Sequence, residues 1–409
     1  AAGWTISNEK FIKENISSDV LSFLKFRASW GRNGNVNVLN NYPYTSPISY
    51  NAAWYQYGDS PEQHYGSYPS GLANPNLKWE TSEQLDLGLD MRFLNDRLTV
   101  SLDYYNKNTK DLLIKINPVP EVYTNQTTIN AGEVNNKGFE FEANWRDHIG
   151  DLAYSVNANF STLKNEVTYL YDDLPRITAS KGGVNGTNNK VHTAFEGGHS
   201  IWYFRAFDYV GVDRETGAAQ FRNHEGKIVA SSELTDEDMT DIGSAIPKFT
   251  YGITLNLEYK GFDFTAFGTG VAGNKIFNIL YRADSPLRNS LKYYMDNAWT
   301  PENKGASMPA VNNVATDLNF WSSSAAMFNG SYFKIKQLQL GYTLPKRLTQ
   351  KVAIKDLRFF VSLDDFFTFS NYPGMDPETA TTGNNGGAGF DIGSYPTMKK
   401  CSFGASFSF

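Results

Sequence analysis

The sequence predicts an all-β fold, an antiparallel transmembrane β-barrel with long extracellular loops. Three observations predict it. Apolar and polar residues alternate with period two through about ten or eleven segments. The connections between those segments run long, short, long, short along the whole chain. Aromatic residues are 15% of the 409, mostly Tyr and Phe, and 34 glycines accompany them, a composition that suits strands better than helices.

The segments follow in order. Residues 1–11, AAGWTISNEKF, read as the tail of a strand whose beginning lies upstream. The first full strand is expected near 22–32, with Leu24, Phe26, Ala28 and Trp30 on one face. In 79–93, Leu85, Leu87, Leu89, Met91 and Phe93 oppose Asp86, Gly88, Asp90 and Arg92. In 98–110, Leu98, Val100, Leu102 and Tyr104 oppose Thr99, Ser101 and Asp103. In 135–146, Phe139, Phe141, Ala143 and Trp145 oppose Gly138, Glu140, Glu142 and Asn144. The 152–163 stripe is Leu152, Tyr154, Val156, Ala158 and Phe160; that of 248–259 is Phe249, Tyr251, Ile253, Leu255, Leu257 and Tyr259. Strands at 262–269, 332–343, 356–368 and 396–409 complete the set. In 332–343 the stripe changes phase between Ile335 and Leu338, which predicts a bulge.

Long connections are expected at 33–78, 111–134, 164–247, 270–331 and 369–395. Short ones are Leu94–Arg97, Asp147–Asp151, Lys260-Gly261 and, least tight, Leu344–Lys355. A soluble sandwich has no reason to gather every long loop at one end, whereas an outer-membrane barrel does. Phe93, Trp145, Tyr259, Phe262 and Tyr342 fall at the short-turn ends of the apolar stripes, where an aromatic girdle would lie.

Bulk properties exclude several classes. No run approaches the roughly 18 apolar residues of a spanning helix, but a barrel strand needs only about 9–11 alternating residues. The net charge is −6 and no basic patch interleaves with aromatics, which argues against nucleic acid. The single cysteine, Cys401, excludes an intrachain disulfide framework. GTGVAG at 268–273 matches a dinucleotide-binding pattern, but a two-residue turn places its strand in an antiparallel pair, so strand-exit glycines are the better reading. The five histidines, His64, His148, His192, His199 and His224, form no metalloprotease motif, and no G-x-S-x-G is present, so no enzyme is expected. The acidic run Glu233, Asp236, Glu237, Asp238 and Asp241 lacks calcium-loop spacing and reads as a surface loop; no metal or cofactor is expected.

Aromatic residues enrich the expected loops. Trp54, Tyr55, Tyr57, Trp202, Tyr203, Tyr281, Trp299, Trp321 and Tyr372 are candidate substrate contacts, because flat rings stack on sugar faces. Packing of the loops on one another or on a partner is the alternative. Asp90, Arg92 and Glu140 face the polar side of the wall and are candidates for lining a solute path, or for meeting a plug.

Specific stretches carry a resemblance. AGWTISNEKF with LKFRASWGRNGN, NPNLKWETSEQLDLGLDMRFLNDRLTVSLDYYNKNTKDLL, NNKGFEFEANWR, IPKFTYGITLNLEYKGFDFTAFGTGVAGNKIFN, SYFKIKQLQLGYTLP, FFTFSNYPGMDPE and YPTMKKCSFGASFSF resemble, in order, the SusC/RagA family of TonB-dependent outer-membrane transporters of Bacteroidetes. The resemblance implies a bacterial outer-membrane barrel of about 22 strands. Residues 1–409 would form its C-terminal part, with the plug and TonB-contacting segment upstream. It implies a SusD-like surface lipoprotein as lid, the TonB complex as energy source, and an oligosaccharide, or in some members a peptide, as cargo. The last strand's outward aromatics would then be the signal read by the assembly machinery. The segment RNHEGKIVASSELTDEDMTDIGSAIPKF departs from the Asp/Asn/Gly-rich run of many members, which puts an ion site there in doubt. A passive porin or adhesin barrel, a soluble glycan-binding sandwich and an outer-membrane hydrolase are the rival readings.

Overall fold

Alternation at period two gives each strand one greasy and one polar face, and pairing neighbouring strands in register extends both faces across a sheet. A computed structural model describes residues 1–35, 44–56, 58, 63–116, 127–171, 174–180, 190–280, 291–349, 354–380 and 388–409. Among them lies a twelve-stranded sheet. Its strands are β1 (Ala2–Thr5), β2 (Leu21–Asn35), β3 (Glu80–Phe93), β4 (Leu98–Ile116), β5 (Thr127–Ile149), β6 (Leu152–Thr162), β7 (Lys164–Leu170), β8 (Phe249–Tyr259), β9 (Phe262–Ala272), β10 (Tyr332–Thr343), β11 (Asp356–Ser370) and β12 (Lys400–Ser408). Sequence neighbours pair antiparallel except at β7, where β6 pairs with β8 and β7 continues along β5 beyond the end of β6. The long connections therefore share one end of the wall.

The short end is closed by local backbone chemistry. Lys260 and Gly261, at φ 46° and 87°, make the two-residue turn between β8 and β9. The bulge expected in β10 is present, between Ile335 and Gln337.

Three expectations are corrected. Residues 1–11 are strand only over Ala2–Thr5; Ile6–Asn8 and Lys10–Lys13 are single helical turns. Much of the expected loop 111–134 is strand, because β4 and β5 run on to Ile116 and from Thr127. Asp111, at φ 56°, interrupts the pairing there and resets the alternation, which hid the extension. Residues 164–247 are not a plain loop. After β7, they contribute a six-stranded sheet of Ile177–Ser180, His192–Phe195, Tyr203–Val212, Ala219–Arg222, Ile228–Ala230 and Met239–Gly243. A smaller sheet joins Lys275–Asn278 to Met327–Asn329 and, in parallel, to Phe390–Asp391.

Burial divides the molecule by layer. The greasy face of the wall is open: Trp30 is 66% exposed, Phe139 63% and Phe403 83%. The fully buried aromatics Phe204, Phe207, Phe221, Phe277 and Phe320 all lie in the loop layer. The hydrophobic core of this chain thus sits above the wall, and the wall keeps its apolar side for another medium.

Aromatics cross that open face in two rows. At the short-turn end, the Phe262 and Tyr342 rings lie 4.5 Å apart, and Trp145 Nε1 donates to Tyr154 Oη at 3.3 Å. At the long-loop end, Tyr104–Phe139, Phe160–Phe249, Tyr251–Phe333 and Phe333–Phe369 pair at 5.1, 5.6, 6.0 and 6.4 Å. Two rows bracketing an apolar band mark the two interfaces of a bilayer.

Candidate functional site

The polar face of the wall is a mesh of short side-chain contacts. Arg27 on β2 reaches Asp90 on neighbouring β3, with Nε and Nη2 donating at 2.8 and 2.9 Å, and past that strand to Asp103 of β4 at 2.9 Å. Ser101 Oγ donates to Asp90 at 3.2 Å and Asp103 at 3.1 Å. Farther round, Arg358 on β11 forks onto Asp263 of β9 across β10. Between them lie contacts made by uncharged donors: Asn256 Nδ2 to Ser155 Oγ at 3.2 Å, Thr265 Oγ1 to Asn256 Oδ1 at 2.9 Å, and Asn157 Nδ2 to the Glu142 carboxylate at 3.0 Å. Arg27 and Arg358 are thus compensated by carboxylates along the wall, while Glu142 is met by an amide.

The three wall candidates occupy this face. Asp90 is held by Arg27 and Ser101. The Arg92 guanidinium lies 5.1 Å from the centre of the Phe23 ring and lines a cavity of about 390 Å³ with Asp96, Thr99, Glu142, Asn144 and Arg146. Glu140 is exposed and stands in register with Asp103 and Ser161. The structure does not bring the three to one point; they lie along the wall.

The loop candidates divide by burial. Tyr203 is buried and its hydroxyl donates to Glu196. Trp321 is buried and its Nε1 donates to the Val314 carbonyl at 2.8 Å. Tyr372 is buried, donates to Asp391 and accepts from Asn278 Nδ2 at 2.9 Å. These rings hold the loop layer together and offer no free face. Trp202, at φ 51°, rests against Phe195 at 5.8 Å, and Trp299 donates to the Arg214 carbonyl at 3.0 Å; both are half-buried. Trp54 and Tyr55 lie on a hairpin of Ile48–Gln56 with Gln63–Pro69, in register with Tyr65 and His64. The side chains of Trp54 and Tyr55, and the whole of Tyr57 and Tyr281, lie outside the described residues.

The structure adds a cluster not anticipated from the sequence. Lys334 on β10 is 1% exposed and donates to Asp376 at 3.1 and 2.9 Å, Glu378 at 2.6 Å and Thr397 Oγ1 at 3.2 Å. Neighbouring Lys336 reaches Glu378 at 2.7 Å and Asp365 at 3.0 Å. The segment NYPGMDPETA after β11 is thereby tied to the wall. The signal was a lysine on the polar side of the 332–343 stripe and two acids in the later segment, which only the pairing of strands brings together.

The acidic run also has a structural reason. Burial would raise the Asp238 pKa. The backbone N–H groups of His224 and Thr235, at 2.9 and 2.7 Å, outweigh it together with the His224 ring at 2.6 Å and the Thr235 hydroxyl at 3.0 Å. Asp238 is held well below the usual carboxylate range. Among the described residues no group of three His, Cys, Asp or Glu is placed to hold a metal ion. The 268–273 glycine motif lies on antiparallel β9 and the turn after it, not between a parallel strand and a helix.

Comparison with known proteins agrees with this geometry. The family described as TonB dependent receptor-like, beta-barrel matches residues 17–364. TonB-dependent receptor P3 of Formosa agariphila is 33% identical over 435 residues, covering 100% of this chain and 41% of that protein. TonB-dependent receptor SusC of Bacteroides thetaiotaomicron is 28% identical, covering 100% of this chain and 39% of that protein. A solved structure of the RagAB peptide importer in a closed-closed state superposes with a TM-score of 0.79 at 25% identity, covering 100% of this chain and 43% of that chain. The chain spans about two fifths of the length of the curated relatives it matches. The family is one of outer-membrane transporters, not enzymes. An apolar band between aromatic rows, a polar wall and a loop layer at one end are the parts of such a barrel, and this chain belongs to the TonB-dependent receptor-like β-barrel family.

Proposed function

We propose that the chain is the C-terminal part of an outer-membrane active importer of oligosaccharides. The intact protein would draw energy from the TonB complex through an upstream segment, carry a plug, and close its barrel with strands outside this sequence. A SusD-like surface lipoprotein would dock on the loop layer as a lid. The single observation that carries this reading is the arrangement of the wall: a polar face cross-linked by hydrogen bonds and ion pairs, backing an open apolar band and capped by a folded loop layer anchored through Lys334. Amides and hydroxyls such as Asn157, Asn256 and Thr265 suit the exchange of hydrogen bonds with a passing sugar.

Substrate contacts are proposed at Trp54, Tyr55, Tyr57, Trp202, Tyr281 and Trp299 in the loops and at Asp90, Arg92 and Glu140 in the wall. Tyr203, Trp321 and Tyr372 would serve the site by fixing the loops that carry it. Peptide import is the second reading, favoured by the likeness of the whole of this chain to 43% of a RagAB peptide importer chain.

Two measurements test the proposal. Cells carrying the intact protein should accumulate labelled oligosaccharide only while TonB is functional; uptake that persists without TonB would indicate a passive porin. Calorimetric titration of the purified complex with glycan and peptide panels should show saturable binding to a glycan. Binding confined to peptides would transfer the assignment to the second reading.

A further inference from the structure

At the long-loop end of the wall, β6 and β8 pair up to Thr162 and Phe249, and β7 then leaves with β5. The divergence opens a notch of about 780 Å³ between β7 and the segment that enters β8. Tyr104, Phe139 and Phe249 line it, all on the open apolar face, together with Lys137, Lys164, Lys248 and Lys275. Lys164 pairs with Glu166 at 2.7 Å. No carboxylate among the described residues forms a salt bridge with the other three.

Depth gives these lysines their meaning. From Phe249 to Tyr259, β8 offers 11 residues of alternating apolar side chains, enough to cross the hydrocarbon of a bilayer. Lys248 lies one residue beyond that band, while Lys164 and Lys137 lie two residues beyond its edge at Thr162 and Phe139. They stand where the headgroups of the outer leaflet lie, above a row of rings that faces acyl chains. A soluble anion would satisfy the ammonium groups and leave the rings unused. A neutral lipid would do the reverse.

We propose that this notch binds a phosphate-bearing, acylated lipid of the outer leaflet. Its phosphates sit among Lys137, Lys248 and Lys275, and an acyl chain lies over Tyr104, Phe139 and Phe249. The proposal goes beyond solute import and rests on the wall's lying in an outer membrane with its long-loop end outward.

The test uses the intact protein in detergent with lipid A as the probe, read by native mass spectrometry. Lipid A should be retained at least about tenfold more tightly than its dephosphorylated form. The triple variant Lys137→Gln, Lys248→Gln, Lys275→Gln should weaken lipid A about a hundredfold, from roughly fivefold per lysine, and arginines at the same positions should restore it. Retention of the heat-resistant barrel on gels establishes that the variants are folded. Equal retention of the two lipids by the unaltered protein overturns the proposal without any variant. Unchanged binding by the folded triple variant, or displacement of lipid A by inorganic pyrophosphate at the concentrations at which the lipid itself binds, also overturns it.

Discussion

Lys334 is the charge whose surroundings decide most. Its ammonium is nearly sealed from solvent, and Asp376 beside it is 5% exposed. Lys334→Met keeps the bulk but strands a buried carboxylate, an outcome that costs about 3 kcal/mol, the lower part of the usual range because the Thr397 and Glu378 N–H groups still reach Asp376. The expected readout is proteolytic nicking within 371–380 and a matching fall in denaturant resistance; Lys334→Met with Asp376→Asn, which removes the stranded charge and keeps an acceptor for those N–H groups, should recover most of the loss. A second residue-scale prediction concerns pH. Asp238 has a depressed folded pKa, so its contribution is present above the ordinary value of 3.8 and is lost as pH falls below it. The bond to Asp238, working against desolvation, raises the His224 pKa above 6.5, so that contribution is present below 6.5 and is lost as pH rises through the folded value. Protection from hydrogen exchange over residues 222–239, taken relative to the intrinsic rate at each pH, should therefore be greatest between about pH 4 and 6.5. Asp238→Asn should flatten both limbs. A profile indifferent to that substitution would refute the assignment.

At the scale of elements, crowding explains what alternation cannot. Gly138 lies where β6 gives way to β7, and a Cβ there would fall 1.9 Å from the Thr162 carbonyl oxygen and 2.8 Å from Tyr105 Oη. Gly138→Ala should part β5 from β6 and cost roughly 1–3 kcal/mol, with faster exchange of the Thr162 and Phe139 amides as the local sign. The apolar stripes of β3, β5 and β8 were legible because their polar partners fall at every second position through most of each strand. The ends of β4 and β5 were not, because the break at Asp111 shifts the phase and a period-two reading stops there. The loop sheet was not legible either. Its strands are short, from three to ten residues, and those on both sides of Tyr203–Val212 gain their burial from partners distant in sequence.

For the whole molecule, the greasy face is a claim about solvent. Ile253 sits mid-strand on β8 and is 45% exposed, while Thr254 points to the other face. Ile253→Arg should cost about 2–4 kcal/mol in lipid vesicles and lower the yield of assembled barrel, whereas Thr254→Lys should be nearly silent. Equal effects from the two substitutions would mean that the apolar side meets something other than lipid. The sequence by itself determined the strand wall, its two faces and the end at which the loops gather, since side-chain parity and connection length are local properties of the chain. The candidate site was only partly legible on the same grounds. Asp90 and Arg92 could be assigned to the polar face by parity, but Arg27 acquires Asp103, and Arg358 acquires Asp263, across an intervening strand. Only the tertiary structure decided that Tyr203, Trp321 and Tyr372 pack a loop core, that Lys334 anchors it, and that Lys137, Lys164, Lys248 and Lys275 line one notch. An aromatic or a lysine has the same appearance in sequence whether its neighbours are protein, water or lipid; which of them it meets is fixed by residues far along the chain.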